Sequence, residues 1–94
     1  MTPAQQATRD KWTPKFTDLL GEPESRQDAF VNWRTPTRYV SLCFWREGGG
    51  EWFVIDRTKP LGHRDRSACC YFGRRHVNLA HLLDVLKREK EKGQ

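Results

Sequence analysis

Two runs rich in aromatic and β-branched residues, joined through three glycines, commit the middle of this chain to a β-hairpin: RYVSLCFWREGGGEWFVIDR, from Arg38 to Arg57. Each run carries a tryptophan, and a buried indole N–H needs a partner, so a core takes Leu, Ile, Val or Phe more readily. The length of the turn decides where the tryptophans go, because a one-residue change of register moves a whole strand's side chains to the other face. A four-residue turn sets Trp45 opposite Trp52. Tyr39, Ser41, Cys43, Trp45, Trp52, Val54 and Asp56 then share one face, and Val40, Leu42, Phe44, Phe53 and Ile55 the other. A three-residue turn would set Trp45 beside Phe53 and Trp52 beside Phe44. The four-residue register divides an apolar face from a mixed aromatic and polar one, and is the expected arrangement.

A third run, SACCYFG, follows the loop TKPLGHRDR and completes a three-stranded antiparallel β-meander over residues 38–73. Residues 1–33 read as short helices. Thr2-Pro3 and Thr13-Pro14 each place a capping residue before a proline, giving helices at 3–11 and 14–20 that Gly21 ends. Ser25 would cap a third, SRQDAFVNW, ended by Thr35-Pro36. The last element, residues 78–92, has Leu79, Leu82, Leu83 and Leu86 on one helical face, with Asn78 as N-cap. The expected fold is α+β, one small domain over 1–94, with this amphipathic helix packed on the Val40/Leu42/Phe44/Phe53/Ile55 face.

Only 36% of the 94 residues are apolar and 31% are charged, so eleven aromatic residues supply much of what folding can bury. The formal net charge is +5, and its placement matters more than its size. Residues 34–76 hold nine basic and four acidic side chains, which accounts for the entire excess, while the flanking segments nearly cancel. Charge concentrated on one element points to an anionic partner. There is no apolar run near the ~18 residues of a membrane span, and the N-terminus lacks the apolar region of a secretory signal. Cys43, Cys69 and Cys70 cannot all pair within one chain, and adjacent cysteines bridge poorly. These features predict free thiols and a cytoplasmic protein, nuclear in a eukaryote.

Aromatic rings on a sheet flanked by arginines recur where single-stranded nucleic acid is bound: bases stack on the rings and cations hold the phosphates. The expected surface is Arg38, Tyr39, Trp45, Arg46, Trp52, Arg57, Lys59, Arg64, Arg66, Tyr71, Arg74 and Arg75. It predicts a non-enzymatic protein that binds nucleic acid, single strand over duplex, and needs no cofactor or metal. Trp, Tyr and Arg are also the residues of protein-binding hot spots, so a module or small inhibitor docking this face on a protein partner is the alternative. A free strand edge would also allow a homodimer. The competing structural arrangement has the N-terminal helices covering the aromatic face through Trp12, Phe16 and Trp33.

Other motifs carry less. HRD at 63–65 and YFG at 71–73 imitate protein-kinase signatures, but the chain is too short and has no glycine-rich loop with its lysine. Gly48-Gly49-Gly50 precedes a strand, whereas a phosphate-cradling loop opens a helix. No C-x-x-C or H-x-x-x-H spacing supports zinc, and nothing marks an orienting partner for a cysteine nucleophile with His76.

Overall fold

The computed structural model describes residues 1–92. Its first element is one helix, α1 (Pro3–Leu20), where the sequence predicts two. Thr2 caps it through its side chain, and Gln5 returns the bond to the Thr2 N–H, with Pro3 in the first turn. Pro14 lies inside α1 without ending it. The ring removes one hydrogen bond, but the turns on either side hold because Trp12, Thr13 and Phe16 are buried against the sheet.

Five antiparallel strands follow: β1 (Ser25–Arg26), β2 (Phe30–Arg34), β3 (Arg38–Phe44), β4 (Gly50–Asp56) and β5 (Ser67–Phe72). They form one sheet in the order β1-β2-β3-β4-β5. The three expected strands are β3, β4 and β5, and two more replace the helix expected over SRQDAFVNW. That segment buries Val31 and Trp33 completely and leaves Arg34 in solvent, which is the two-residue period of a strand and not the repeat of a helix. The last helix, α2 (Val77–Lys92), buries Leu79, Leu82, Leu83 and Leu86 as the leucine spacing predicts. Asn78 is not its cap; the residue ahead of α2 is His76, in a left-handed conformation at φ 58°.

The β3–β4 turn is a residue longer than expected. Phe44 pairs with Gly50 and Leu42 with Trp52, so the turn spans residues 45–49. Gly50 is thereby part of β4, and only glycine fits there: a Cβ would lie 2.0 Å from the Cys43 carbonyl oxygen and 2.6 Å from the Phe72 ring. The extra turn residue exchanges the two faces of β4. Val40, Leu42 and Phe44 remain on the core side, but Trp52 and Val54 join them, while Phe53 and Ile55 point the other way.

Both helices pack on the core side, α1 against β2 and β3 and α2 against β5, and they touch each other. Trp12 and Phe16 of α1 and the four leucines of α2 form one cluster with Val31, Trp33, Val40, Leu42, Phe44 and Phe72. The result is two layers. The arrangement in which the N-terminal helices cover the opposite face is excluded, since Trp12, Phe16 and Trp33 are all spent on the helical side.

Candidate functional site

The face of the sheet turned away from both helices is built by strand parity. Reading across the strands, one row holds Phe30, Cys43, Glu51 and Tyr71, the next Asn32, Ser41, Phe53 and Cys69, and the third Arg34, Tyr39, Ile55 and Ser67. Trp45, one residue beyond β3, continues its outward parity and lies against Tyr71, ring centroids 5.4 Å apart. Three of these rings are well exposed: Trp45 at 39%, Phe53 at 38% and Tyr71 at 66%.

Their register makes a diagonal. Phe53 is one step along from Tyr71 on the neighbouring strand, and Tyr39 is one step along from Phe53. Arg34 stands opposite Tyr39, its guanidinium 5.3 Å from the ring centroid, with Nε donating to Glu24 Oε1 at 2.9 Å. A stripe of Trp45/Tyr71, Phe53 and Tyr39 therefore crosses three strands and ends on an arginine.

Cations gather at both ends of the strands. At the end that holds the β3–β4 turn are Arg46, Arg74 and Arg75, all exposed. At the other are Arg57 and Arg64, both exposed, with Arg66 and Lys59 half-buried. Arg57 Nη1 donates to the Thr35 carbonyl at 2.5 Å and Arg66 Nε to the Lys59 carbonyl at 3.3 Å, which orients both side chains. Among the described residues Arg46, Arg57, Arg64, Arg66, Arg74 and Arg75 make no ion pair, so no described carboxylate neutralises their charge.

Not every expected residue belongs to this surface. Trp52 lies on the helical side, half-buried against the core, and its indole N–H is buried without a partner among the described residues. Arg38 is held by Asp56 at 2.8 Å and Glu89 at 3.0 Å, and ties the sheet to α2. Lys59 reaches Asp56 at 4.0 Å. Tyr39, Trp45 and Tyr71 come together as expected. Phe53 and Phe30 are the aromatic side chains that sequence reasoning misses; the alternation EWFVI carries the signal, but only once the turn length is known.

The remaining polar groups of the face are restrained. Burial pushes the Cys43 thiol up, the Glu51 carboxylate beside it adds to the rise, and a hydrogen bond with Ser41 opposes it. Cys43 is therefore a weak nucleophile at neutral pH. Cys69 is exposed and Cys70 half-buried, and all three cysteines are free. No group of three or more His, Cys, Asp or Glu side chains converges among the described residues. A groove of about 690 Å³ opens elsewhere, between Leu19 and Leu20 of α1, Leu86 of α2 and the β2–β3 turn. Two of its cations are engaged, Arg38 as above and Lys90 with the Leu19 carbonyl at 3.3 Å. No helix among the described residues is long and apolar enough to cross a membrane.

Comparison with known proteins gave no match: no family model, no curated protein and no solved structure aligns with this chain.

Proposed function

We propose that the protein binds single-stranded nucleic acid along the diagonal Trp45/Tyr71, Phe53, Tyr39. The observation that carries the reading is an aromatic stripe on a sheet face that neither helix covers, with unneutralised arginines at both ends. Bases stack on Tyr71, Phe53 and Tyr39 in turn, and Trp45 closes against the first of them. Arg46, Arg74 and Arg75 hold phosphates at one end, and Arg57 and Arg64 at the other. A single strand suits this face because its bases are free to lie flat on the rings, whereas a duplex keeps them stacked on one another. The flat, shallow arrangement offers no positioned acid, base or nucleophile, so the activity proposed is binding without catalysis.

Titration with single-stranded oligonucleotides, followed by intrinsic fluorescence, tests this. Trp12 and Trp33 are buried and Trp52 lies on the helical side, so quenching should come from Trp45 and should disappear in Trp45→Phe while binding persists. Tyr71→Ala and Phe53→Ala should each cost ~1–3 kcal/mol of binding with the fold intact. Trp52→Ala should instead lower stability, by roughly 2–3 kcal/mol for a half-buried indole. Replacing Arg74 and Arg75 should flatten the log–log salt dependence by ~0.7 for each phosphate no longer held. A folded protein that shows no salt-dependent binding to any single strand at low ionic strength would sink the reading.

A further inference from the structure

The two edges of the sheet differ. β1 is two residues long and follows Pro23 and Glu24, which blunts that side against further pairing. β5 is six residues long, SACCYF, with no charge and no proline, so nothing in it discourages another strand. Its free hydrogen-bonding groups can be identified. Asp56 N–H donates to the Arg66 carbonyl at 2.6 Å, which fixes the phase of the ladder: Arg66, Ala68, Cys70 and Phe72 face β4, and Ser67, Cys69 and Tyr71 turn their N–H and C=O groups outward. The Tyr71 carbonyl is taken by Asn78 Nδ2 at 2.8 Å. The other outward groups, three N–H and two C=O, have no partner among the described residues.

We infer that β5 is a docking edge for an extended, acidic segment of a partner protein, taken up as a sixth strand. Charge selects this occupant. Arg64 and Arg66 precede the strand and Arg74 and Arg75 follow it, with Asp65 the one acid among them in sequence. On the neighbouring strand Glu51 stands opposite Tyr71, and Asp56 is already engaged by Arg38 and Lys59. A second copy joined antiparallel through β5 would bring Arg64 and Arg66 of each chain up to Arg74 and Arg75 of the other, a like-charge contact at both ends. A segment of about five residues with β-forming side chains and carboxylates at its ends meets cations at both ends instead. Backbone bonds to Ser67, Cys69 and Tyr71 supply the affinity, and the flanking charge supplies the selection. The edge shares Tyr71, Arg74 and Arg75 with the aromatic face but offers backbone groups in the plane of the sheet and not ring faces, and the inference does not depend on nucleic-acid binding.

The test uses the full chain, free of nucleic acid, and fluorescence anisotropy of a labelled peptide of alternating valine and threonine with two aspartates at each end. A lysine-ended twin and two N-methylated versions, blocked on alternate residues, serve as controls. The acidic peptide should bind, and the lysine-ended one should bind about tenfold more weakly or worse. N-methylation of the set facing β5 should weaken binding by about tenfold or more, and of the other set far less. Reversing the exposed cations, Arg64→Glu with Arg74→Glu and Arg75→Glu, should exchange the preference between the two peptides. Binding that is indifferent to both N-methylated sets would mean charge attraction without strand addition, and would overturn the inference. So would no binding, or a dimer that excludes the peptide. Oligonucleotide binding is measured separately on the wild type; the triple reversal should weaken it as well, because Arg74 and Arg75 also serve the proposed phosphate contacts, whereas N-methylation alters only the peptide and reports on strand addition alone.

Discussion

Asp56 collects partners where β4 enters the following loop. The Thr58 hydroxyl donates to Oδ1 at 2.5 Å and does most to hold the carboxyl below the usual carboxylate range. Desolvation opposes the shift, and the Thr58 N–H, Arg38 and Lys59 add to it. A lowered value in the fold means that the unfolded chain takes up the proton first on acidification. The stability supplied by Asp56 is therefore present above the ordinary carboxylate pKa of about 3.9 and is lost as pH falls through the lower folded value. Urea midpoints measured from about pH 6 to pH 2 should fall less steeply in Asp56→Asn than in the wild type. In sequence the same residue is legible only as part of a face, and the turn length puts that face on the wrong side. Tyr39 and Trp45 fall where the sequence places them because β3 keeps its parity whatever the turn does, and Tyr71 joins them through its pairing with Glu51. Trp52 and Phe53 exchange roles because three consecutive glycines do not state how many of them belong to the turn. The answer lies in the Phe72 ring, which excludes any side chain at position 50 and is more than twenty residues away in sequence.

At the level of elements, α2 is readable because leucine spacing is a local signal, and α1 is less so. The buried stripe of α1 runs Gln5, Thr8, Trp12, Thr13, Phe16, polar at its beginning. Those polar residues are buried because the sheet supplies their partners: Gln5 Nε2 donates to the Phe44 carbonyl at 2.6 Å and the Thr8 hydroxyl to the Gly48 carbonyl at 2.7 Å. No pattern of apolar residues announces such a face. Pro14 reads as a boundary for a related reason, since its cost is local and the packing that offsets it is not. Replacing it should therefore stabilise the helix. Pro14→Ala is expected to raise unfolding free energy by about 2 kcal/mol, the lost hydrogen bond restored less the entropy that proline removes from the unfolded chain. A denaturant midpoint below that of the wild type would show that the proline is needed where it stands. β2 reads as a helix because Ser25 resembles a helix cap, although Phe30 to Arg34 already alternates in the manner of a strand.

Across the whole molecule, one imidazole joins three elements. Trp12 Nε1 donates to His76 Nδ1 at 3.0 Å, which leaves the proton on Nε2, and Nε2 donates to the Gly48 carbonyl at 2.8 Å. The ring also meets the Trp12 and Phe72 rings edge-on, each with centroids 5.9 Å away. α1, the β3–β4 turn and the entry to α2 are thus held at one point, next to the turn that carries Trp45 and Arg46. His76→Val should remove both hydrogen bonds, strand the Trp12 N–H and place a β-branched residue at a positive φ. We expect it to cost about 3 kcal/mol or more, read from chemical denaturation. Asn, which tolerates that backbone conformation, should cost less. The order of the strands has a consequence for how the chain comes together. Each strand pairs with its neighbour in sequence, so the sheet can grow by adding one hairpin at a time, with short loops to close. The helices are the opposite case: the first and last elements of the chain touch each other, and bringing them together closes a loop that contains the whole sheet. The sheet is therefore expected to assemble before its own core is sealed. If His76, Trp12 and Gly48 form the latch that shuts last, substitutions there should speed unfolding while leaving the rate of folding almost unchanged, which stopped-flow chevron plots of His76→Asn would read.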